Sequence, residues 1–112
     1  MYPMNDTTKP KEQQEKERKD LISAALDEFY SVAAETGDKF FFRQLFECLT
    51  TPNEREEMAM RWQLSKEIKQ GKTQREIAKK LGLSLCKITR GSKDLKKSDS
   101  ALDKVLERFV SP

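Results

Sequence analysis

The sequence predicts an all-α protein that contains a helix-turn-helix in its C-terminal half. Apolar residues recur at three- and four-residue steps, the spacing of one helix face, and no segment shows the two-residue alternation of a half-buried strand. Glycine and proline divide the chain into segments of helical length. We expect a disordered polar arm over residues 1–9 and one helical domain over residues 10–112, since 112 residues fit a single domain.

The composition argues against several classes of protein. No run approaches the roughly 20 apolar residues that span a membrane, and the charged N-terminal segment lacks the apolar core of a secretion signal. We therefore expect a cytoplasmic protein in which Cys48 and Cys86 are reduced thiols. The chain has no histidine, and two distant cysteines cannot build a zinc site. Because no phosphate-binding loop or nucleophile motif is present either, we expect neither an enzyme nor a metal site.

The N-terminal half should form two helices. Pro10 suits the first turn of a long helix that reaches about Thr36, and Gly37 should end it. Asp38 can cap a second helix that continues through Leu49. The apolar stripe of the first helix consists of Leu21, Ile22, Ala25, Leu26, Phe29, Val32 and Ala33.

The second helix contains three successive phenylalanines, Phe40, Phe41 and Phe42. These side chains point in three directions, whereas one face of a helix meets one core, so a small chain cannot easily bury all three. We infer a homodimer with interlocked helices. The alternative is a loose monomeric core with one exposed phenylalanine.

A capping box begins the third helix. Thr51 can accept a hydrogen bond from a free backbone N–H, Pro52 suits the first turn, and Glu54 can return the bond. The helix should run to about Gln70, before Gly71. Its inner faces should carry Met58, Trp62, Leu64 and Ile68.

The segment Thr73–Leu95 has the pattern of a helix-turn-helix. Ala78 lies where two helices must cross closely, Gly82 can adopt the left-handed conformation of a sharp turn, and Ile88 follows six residues later. Thr73 and Glu76 form a second capping box, Ser84 can cap the second helix, and the inward side chains should be Ile77, Leu81, Leu85 and Ile88.

Positive charge is concentrated in the same segment. Residues 72–97 contain nine basic side chains and two acidic ones, whereas the rest of the chain is acidic. Charge alone is also compatible with a solvated helix face. Together with the helix-turn-helix spacing it favours double-stranded DNA as the partner, because a basic surface binds phosphates.

In a helix-turn-helix the second helix enters the major groove. Arg75 is the best candidate base reader, since a guanidinium can bond two acceptors of guanine, and the lysines should touch phosphates. Leu85 and Cys86 offer only small apolar contacts, so DNA shape would contribute to recognition. The candidate DNA-binding residues are Gln74, Arg75, Lys79, Leu85, Cys86, Lys87, Thr89, Lys93, Lys96 and Lys97.

Two runs of residues resemble the tryptophan (Trp) repressor family. They are Thr50-Thr51-Pro52-Asn53-Glu54-Arg55-Glu56, followed by Arg61, and Ile88-Thr89-Arg90-Gly91-Ser92-Lys93-Asp94-Leu95-Lys96. The close match covers residues 50–97, and the flanking helices agree in layout. The resemblance implies a six-helix intertwined homodimer that binds L-tryptophan as corepressor and then a palindromic operator.

The resemblance also implies a ligand site. Arg61 and Arg90 match two arginines that sandwich the indole, with Arg90 near the ligand carboxylate, and Gly91 matches a glycine at the ring edge. Stacking of guanidinium groups on an aromatic ring is chemically reasonable. Three groups match those supplied by the other subunit: the backbone carbonyls of Cys48 and Thr50 and the hydroxyl of Thr51.

The sequence departs from the family in three places. Asp94 replaces a serine that bonds the ligand's ammonium, and its carboxylate could hold that group by charge. Lys87 replaces a threonine in the second helix of the pair, and the turn Gly71-Lys72-Thr73 is one residue shorter than usual. Asp94 leaves open a ligand-independent DNA-binding relative in which its carboxylate blocks the site. The phenylalanine-rich helix leaves open a helical protein-interaction module that docks through that helix.

Overall fold

The computed structural model describes residues 9–97 and 100–110, and all regular structure in these residues is helical. This confirms the all-α prediction. The chain divides into two compact units, Met1–Leu49 and Thr50–Pro112. Of the predicted polar arm, residues 1–8 lie outside the described residues. Lys9 is described and its ammonium lies 2.9 Å from the carboxylate of Glu17.

The first unit contains two helices, α1 (Lys11–Glu35) and α2 (Lys39–Leu49). Pro10 precedes α1 as predicted. The helix ends two residues before Gly37, because Thr36 is already extended at φ −76° and ψ 115°. Asp38 caps α2: its carboxylate accepts the backbone N–H of Phe40 at 2.9 Å.

Many large apolar residues of α1 and α2 remain exposed in a single chain, and the others are only partly buried. Neither α1 nor α2 has a buried residue. Leu21 is 69% exposed and Phe40 is 74% exposed. Large apolar side chains on two adjacent helices are ordinarily removed from water, so residues 9–49 of this unit form no buried core within one chain.

The second unit contains four helices and a terminal 3₁₀ turn. The helices are α3 (Pro52–Lys69), α4 (Gln74–Leu81), α5 (Leu85–Lys96) and α6 (Ala101–Leu106), and the turn is Glu107–Phe109. The first three begin and end within a residue or two of the predicted positions. The described part of the chain therefore has the six helices that the family resemblance implies.

Each of these helices begins at a side chain that caps it. Both predicted capping boxes are present, at Thr51 and at Thr73, and Ser84 accepts the backbone N–H of Lys87 at 3.3 Å. Gly82 separates α4 from α5 with φ +67°, and its N–H donates to the carbonyl of Ala78 at 2.9 Å. The segment is thus two helices joined by a sharp turn, as the sequence predicts.

A small apolar core holds α3, α4 and α5 together. Leu64, Ile77 and Ile88 are buried, and burying each such side chain contributes about 1.5–3 kcal/mol. Four partly buried residues pack around them: Ile68, Ala78, Leu81 and Leu83. The core therefore fixes the helix-turn-helix on α3.

Three predictions of inward side chains are wrong for the single chain. Met58 is 52% exposed and Trp62 is 40% exposed, because α4, α5 and α6 cover mainly the second half of α3. Trp62 has one aromatic neighbour, Phe109, at 6.0 Å between ring centroids. Leu85 is 51% exposed because it is the first residue of α5, where the side chain faces away from the core.

Candidate ligand groove and basic surface

A groove of about 470 Å³ lies between α3 and α5. It brings together four of the seven predicted ligand-binding residues, Arg61 from α3 and Arg90, Gly91 and Asp94 from α5. The other lining residues are Asn53, Glu56, Glu57, Met60, Leu64, Ser65, Leu83, Lys87 and Leu102. The groove therefore combines apolar walls with side chains of both charges.

Gly91 allows α5 to approach α3 closely. A Cβ at this position would lie 2.9 Å from Cδ2 of Leu64 and 3.9 Å from Cδ1 of Ile68. The first distance is too short for two carbon atoms, so any larger residue would displace a buried side chain. Gly91 thus contributes to helix packing as well as to the lining of the groove, a role that the family resemblance did not suggest.

Charges of opposite sign meet at the groove. Arg61 and Arg90 supply guanidinium groups, whose planar faces can stack on an aromatic ring. Asp94 supplies a carboxylate that lies 3.4 Å from the ammonium of Lys97, with both side chains more than half exposed. An exposed pair of this kind is weak and can be exchanged. The arrangement suits an aromatic zwitterion, which carries one group of each charge.

The three remaining predicted ligand groups lie outside this set. The hydroxyl of Thr51 caps α3 by accepting the N–H of Glu54 at 3.2 Å, and the N–H of Thr51 donates to the Glu54 carboxylate at 2.8 Å. That backbone bond is the main reason why the pKa of Glu54 is lowered. The carbonyl of Thr50 accepts a bond from Arg55 at 2.7 Å, and Cys48 belongs to the first unit.

All ten predicted DNA-binding residues are exposed. Gln74, Arg75 and Lys79 lie on α4, and the rest lie on α5 or directly after it. Leu85, Cys86 and Thr89 also line a shallow hollow near the start of α5, together with Arg90 and Lys93. The structure therefore leaves these side chains accessible to a partner.

One buried carboxylate was missed by the sequence interpretation. Glu67 has no solvent exposure and accepts hydrogen bonds from Lys72 at 2.9 Å, Lys80 at 3.0 Å and Gln63 at 3.2 Å. Burial raises the pKa of Glu67, but these bonds outweigh it and bring the pKa to about 2. The bond to Glu67 raises the pKa of Lys72 in turn.

This cluster changes the interpretation of the basic segment. Two of its nine cations, Lys72 and Lys80, share the single negative charge of Glu67, and Lys97 faces Asp94. A signal was available in the sequence, because Glu67 lies three residues after the buried Leu64 and so falls on an apolar stripe. An acidic residue at such a position needs partners.

Residues 24–110 match the family model described as Trp repressor protein. A Chlamydia trachomatis serovar L2 protein described as a Trp operon repressor homolog is 35% identical over 83 residues, which cover 73% of this chain and 88% of that protein. A Vibrio campbellii protein with the same description is 43% identical over 63 residues, covering 54% of this chain and 63% of that protein.

The fold and the exposed basic helices define a helix-turn-helix protein with a mixed-charge groove beneath its second helix. The match over residues 24–110 and the relatives give the family: the chain belongs to the Trp repressor family. This is a regulatory DNA-binding family and not an enzymatic one, so a repressor-like function follows. Within residues 9–97 and 100–110, no helix could cross a membrane and no acidic or cysteine cluster could hold a metal ion.

Proposed function

We propose that the protein is a homodimeric, tryptophan-responsive transcriptional repressor of the cytoplasm. L-tryptophan binds in the groove between α3 and α5, and the liganded dimer binds operator DNA through α4 and α5. The observation that carries this proposal is the convergence of Arg61, Arg90 and Asp94 on one groove, directly against the helix that carries the predicted DNA contacts.

The chemistry of the groove fits the proposed ligand. An indole can lie between the guanidinium groups of Arg61 and Arg90, and Arg90 can also pair with the ligand carboxylate. Asp94 offers the ammonium a carboxylate. The carbonyls of Cys48 and Thr50 and the hydroxyl of Thr51 would come from the second subunit, as the family resemblance implies.

The exposed apolar residues of the first unit support a homodimer. Phe40 and Phe41 are 74% and 54% exposed, and Leu21 and Leu26 are 69% and 45% exposed. A second copy would remove these side chains from water and would place two helix-turn-helix segments on one duplex. Palindromic DNA is the natural partner of a protein with twofold symmetry.

Tryptophan would act by shifting a population of conformations. A ligand between α3 and α5 increases DNA affinity only if it binds the DNA-competent arrangement more tightly than other arrangements. Arg75 is then the candidate base reader, whereas the exposed lysines contact phosphates: Lys87, Lys93, Lys96 and Lys97, together with Lys79. Gln74, Leu85, Cys86 and Thr89 complete the surface.

The test measures DNA affinity with and without tryptophan. A duplex is first selected by the protein from a random library in the presence of tryptophan, and its dissociation constant is then measured by fluorescence anisotropy. We expect tryptophan to raise affinity by about tenfold or more. Arg90→Ala should abolish the increase, whereas Arg108→Ala, an arginine outside the groove, should retain it. Equal affinity with and without tryptophan would contradict the proposal.

Asp94 favours a second candidate, a DNA-binding relative that does not use the ligand. Its carboxylate lines the groove and already faces the ammonium of Lys97 at 3.4 Å, so Lys97 competes with the ligand ammonium for Asp94. Calorimetry with tryptophan in the absence of DNA separates the two candidates. If tryptophan binds, Asp94→Ser should weaken binding by several-fold because a charged hydrogen bond is lost. Absence of heat for the wild type together with binding by Asp94→Ser would favour the second candidate.

A further inference from the structure

Glu67 connects three segments of the second unit. It is the only buried charged residue among the described residues, and its neighbour Gln63 lies one turn earlier on α3. Lys72 reaches it from the turn before α4 at 2.9 Å, and Lys80 reaches it from the last turn of α4 at 3.0 Å. The backbone N–H of Lys72 also donates to the carbonyl of Glu67 at 3.2 Å.

We propose that Glu67 is a positioning residue for DNA binding. Its carboxylate holds the turn before α4, through Lys72, and the last turn of α4, through Lys80, against α3, and so sets the orientation in which α4 and α5 are presented to DNA. The proposal rests on the proposed DNA-binding function. It assigns Lys72 and Lys80 to this internal cluster and not to the phosphate-binding surface.

The small size of α4 explains why it needs such a constraint. The helix has eight residues and one fully buried side chain, Ile77. Two other α4 residues, Ala78 and Leu81, pack against the same core but are only partly buried. Apolar contacts are non-directional, so they leave a two-turn helix some freedom to rotate or slide. Two ion pairs to one fixed carboxylate are directional, and they act on the turn that leads into α4 and on the last turn of the helix. Ion pairs to a buried carboxylate add little net stability, but they can specify one arrangement among several.

A positioning role for Glu67 and a simple competition for cations predict opposite effects on DNA affinity. If Lys72 and Lys80 served mainly as phosphate-binding cations, Glu67→Gln would remove a competing negative charge. DNA affinity would then rise. The slope of log affinity against log salt concentration would steepen by about 0.9 for each additional phosphate neutralised. If Glu67 positions α4, the same variant lowers affinity, by about tenfold, without steepening the salt dependence.

The experiment uses the full chain and the selected duplex, with saturating tryptophan, over a series of salt concentrations. Glu67→Gln and Lys80→Met should both weaken DNA binding about tenfold. In both variants the slope of log affinity against log salt concentration should stay that of the wild type. Lys80→Arg, which keeps the ion pair, should retain wild-type affinity. Lys79→Met is the matched control, because Lys79 is an exposed neighbour on α4; its loss should reduce the slope by about 0.9 for the phosphate that is no longer neutralised.

Hydrogen exchange gives a second readout that does not depend on DNA. Amides of α4 should lose protection in Glu67→Gln and Lys80→Met relative to Lys79→Met, while amides of α3 should not. If the wild type bound no DNA, the proposed function would fail and exchange in α4 would still decide whether Glu67 orders the helix. The proposal would be overturned if Glu67→Gln bound DNA more tightly than the wild type, or if Lys80→Met reduced the salt dependence of binding. If Glu67→Gln does not fold, Lys80→Met tests the proposal in its place.

Discussion

At the scale of single residues, Glu67 shows how a carboxylate stays ionised without contact with water. Burial by itself would raise its pKa, since a charge loses hydration in the protein interior. Lys72, Lys80 and Gln63 replace water as donors and bring the pKa to about 2. The charged form is therefore the one that the folded protein stabilises.

This shift gives the folded protein a specific acid sensitivity. The pKa of Glu67 falls from 4.5 to about 2 on folding, so its contribution to stability is present above pH 4.5 and is lost as the pH falls toward 2. We expect the urea midpoint of the wild type to exceed that of Glu67→Gln at neutral pH. The difference should shrink on acidification.

The measurement follows unfolding by circular dichroism from neutral pH to about pH 2.5. Glu57→Gln, an exposed glutamate on the same helix, controls for the change in net charge. Parallel pH curves for the wild type and Glu67→Gln would show that Glu67 does not cause the acid sensitivity.

Residue types could be assigned to a site from sequence, but their pairing could not. The family resemblance identified Arg61, Arg90 and Asp94, and the structure brings these three side chains to one groove. It could not show which of the two adjacent exposed lysines, Lys79 and Lys80, pairs with Glu67, because that choice depends on the rotation of α4 against α3. The assignment of these residues to ligand and DNA stays a prediction.

At the scale of helices, capping residues close together in the sequence were sufficient to predict where the helices begin. The capping boxes at Thr51 and Thr73 need only residues three apart, and both are formed. The burial of Met58 and Trp62 could not be predicted in the same way, since it depends on which other helices cover α3. Local chemistry thus gives the boundaries, whereas tertiary contacts decide which face is covered.

The turn between α4 and α5 depends on the conformation of Gly82. Its φ of +67° lies in the left-handed region, where a Cβ meets the adjoining carbonyl, so Gly82→Ala should lower the free energy of unfolding by about 1 kcal/mol. Gly37→Ala is the matched control, because Gly37 lacks a positive φ and a Cβ there would meet nothing within 4 Å. Urea denaturation measures both, and an equal loss in the two variants would contradict this account of the turn.

At the scale of the whole molecule, the two units bury very different amounts of apolar surface. The second unit has a core around Leu64, Ile77 and Ile88, whereas no residue of α1 or α2 is buried. The run Phe40–Phe42 predicted a need for a second chain because three directions on a helix cannot share one core. The homodimer stays a prediction, and it is the one on which a complete ligand site depends.

A substitution on α1 can test that dependence. Leu26 lies on the apolar stripe and is 45% exposed in one chain, so Leu26→Lys should place a charge in the proposed interface and convert the dimer to monomer in sedimentation equilibrium. Tryptophan binding, measured by calorimetry, should weaken at least tenfold in parallel, because the monomer lacks the partner's carbonyls and threonine hydroxyl. Asp27→Lys, on the adjacent polar side of the same helix, adds the same type of charge and should leave both properties unchanged.

A monomeric Leu26→Lys that bound tryptophan normally would mean that the groove between α3 and α5 is complete within one chain. A wild type that sedimented as a monomer would contradict the proposed homodimer. The exposed leucines and phenylalanines of α1 and α2 would then face water or a different protein.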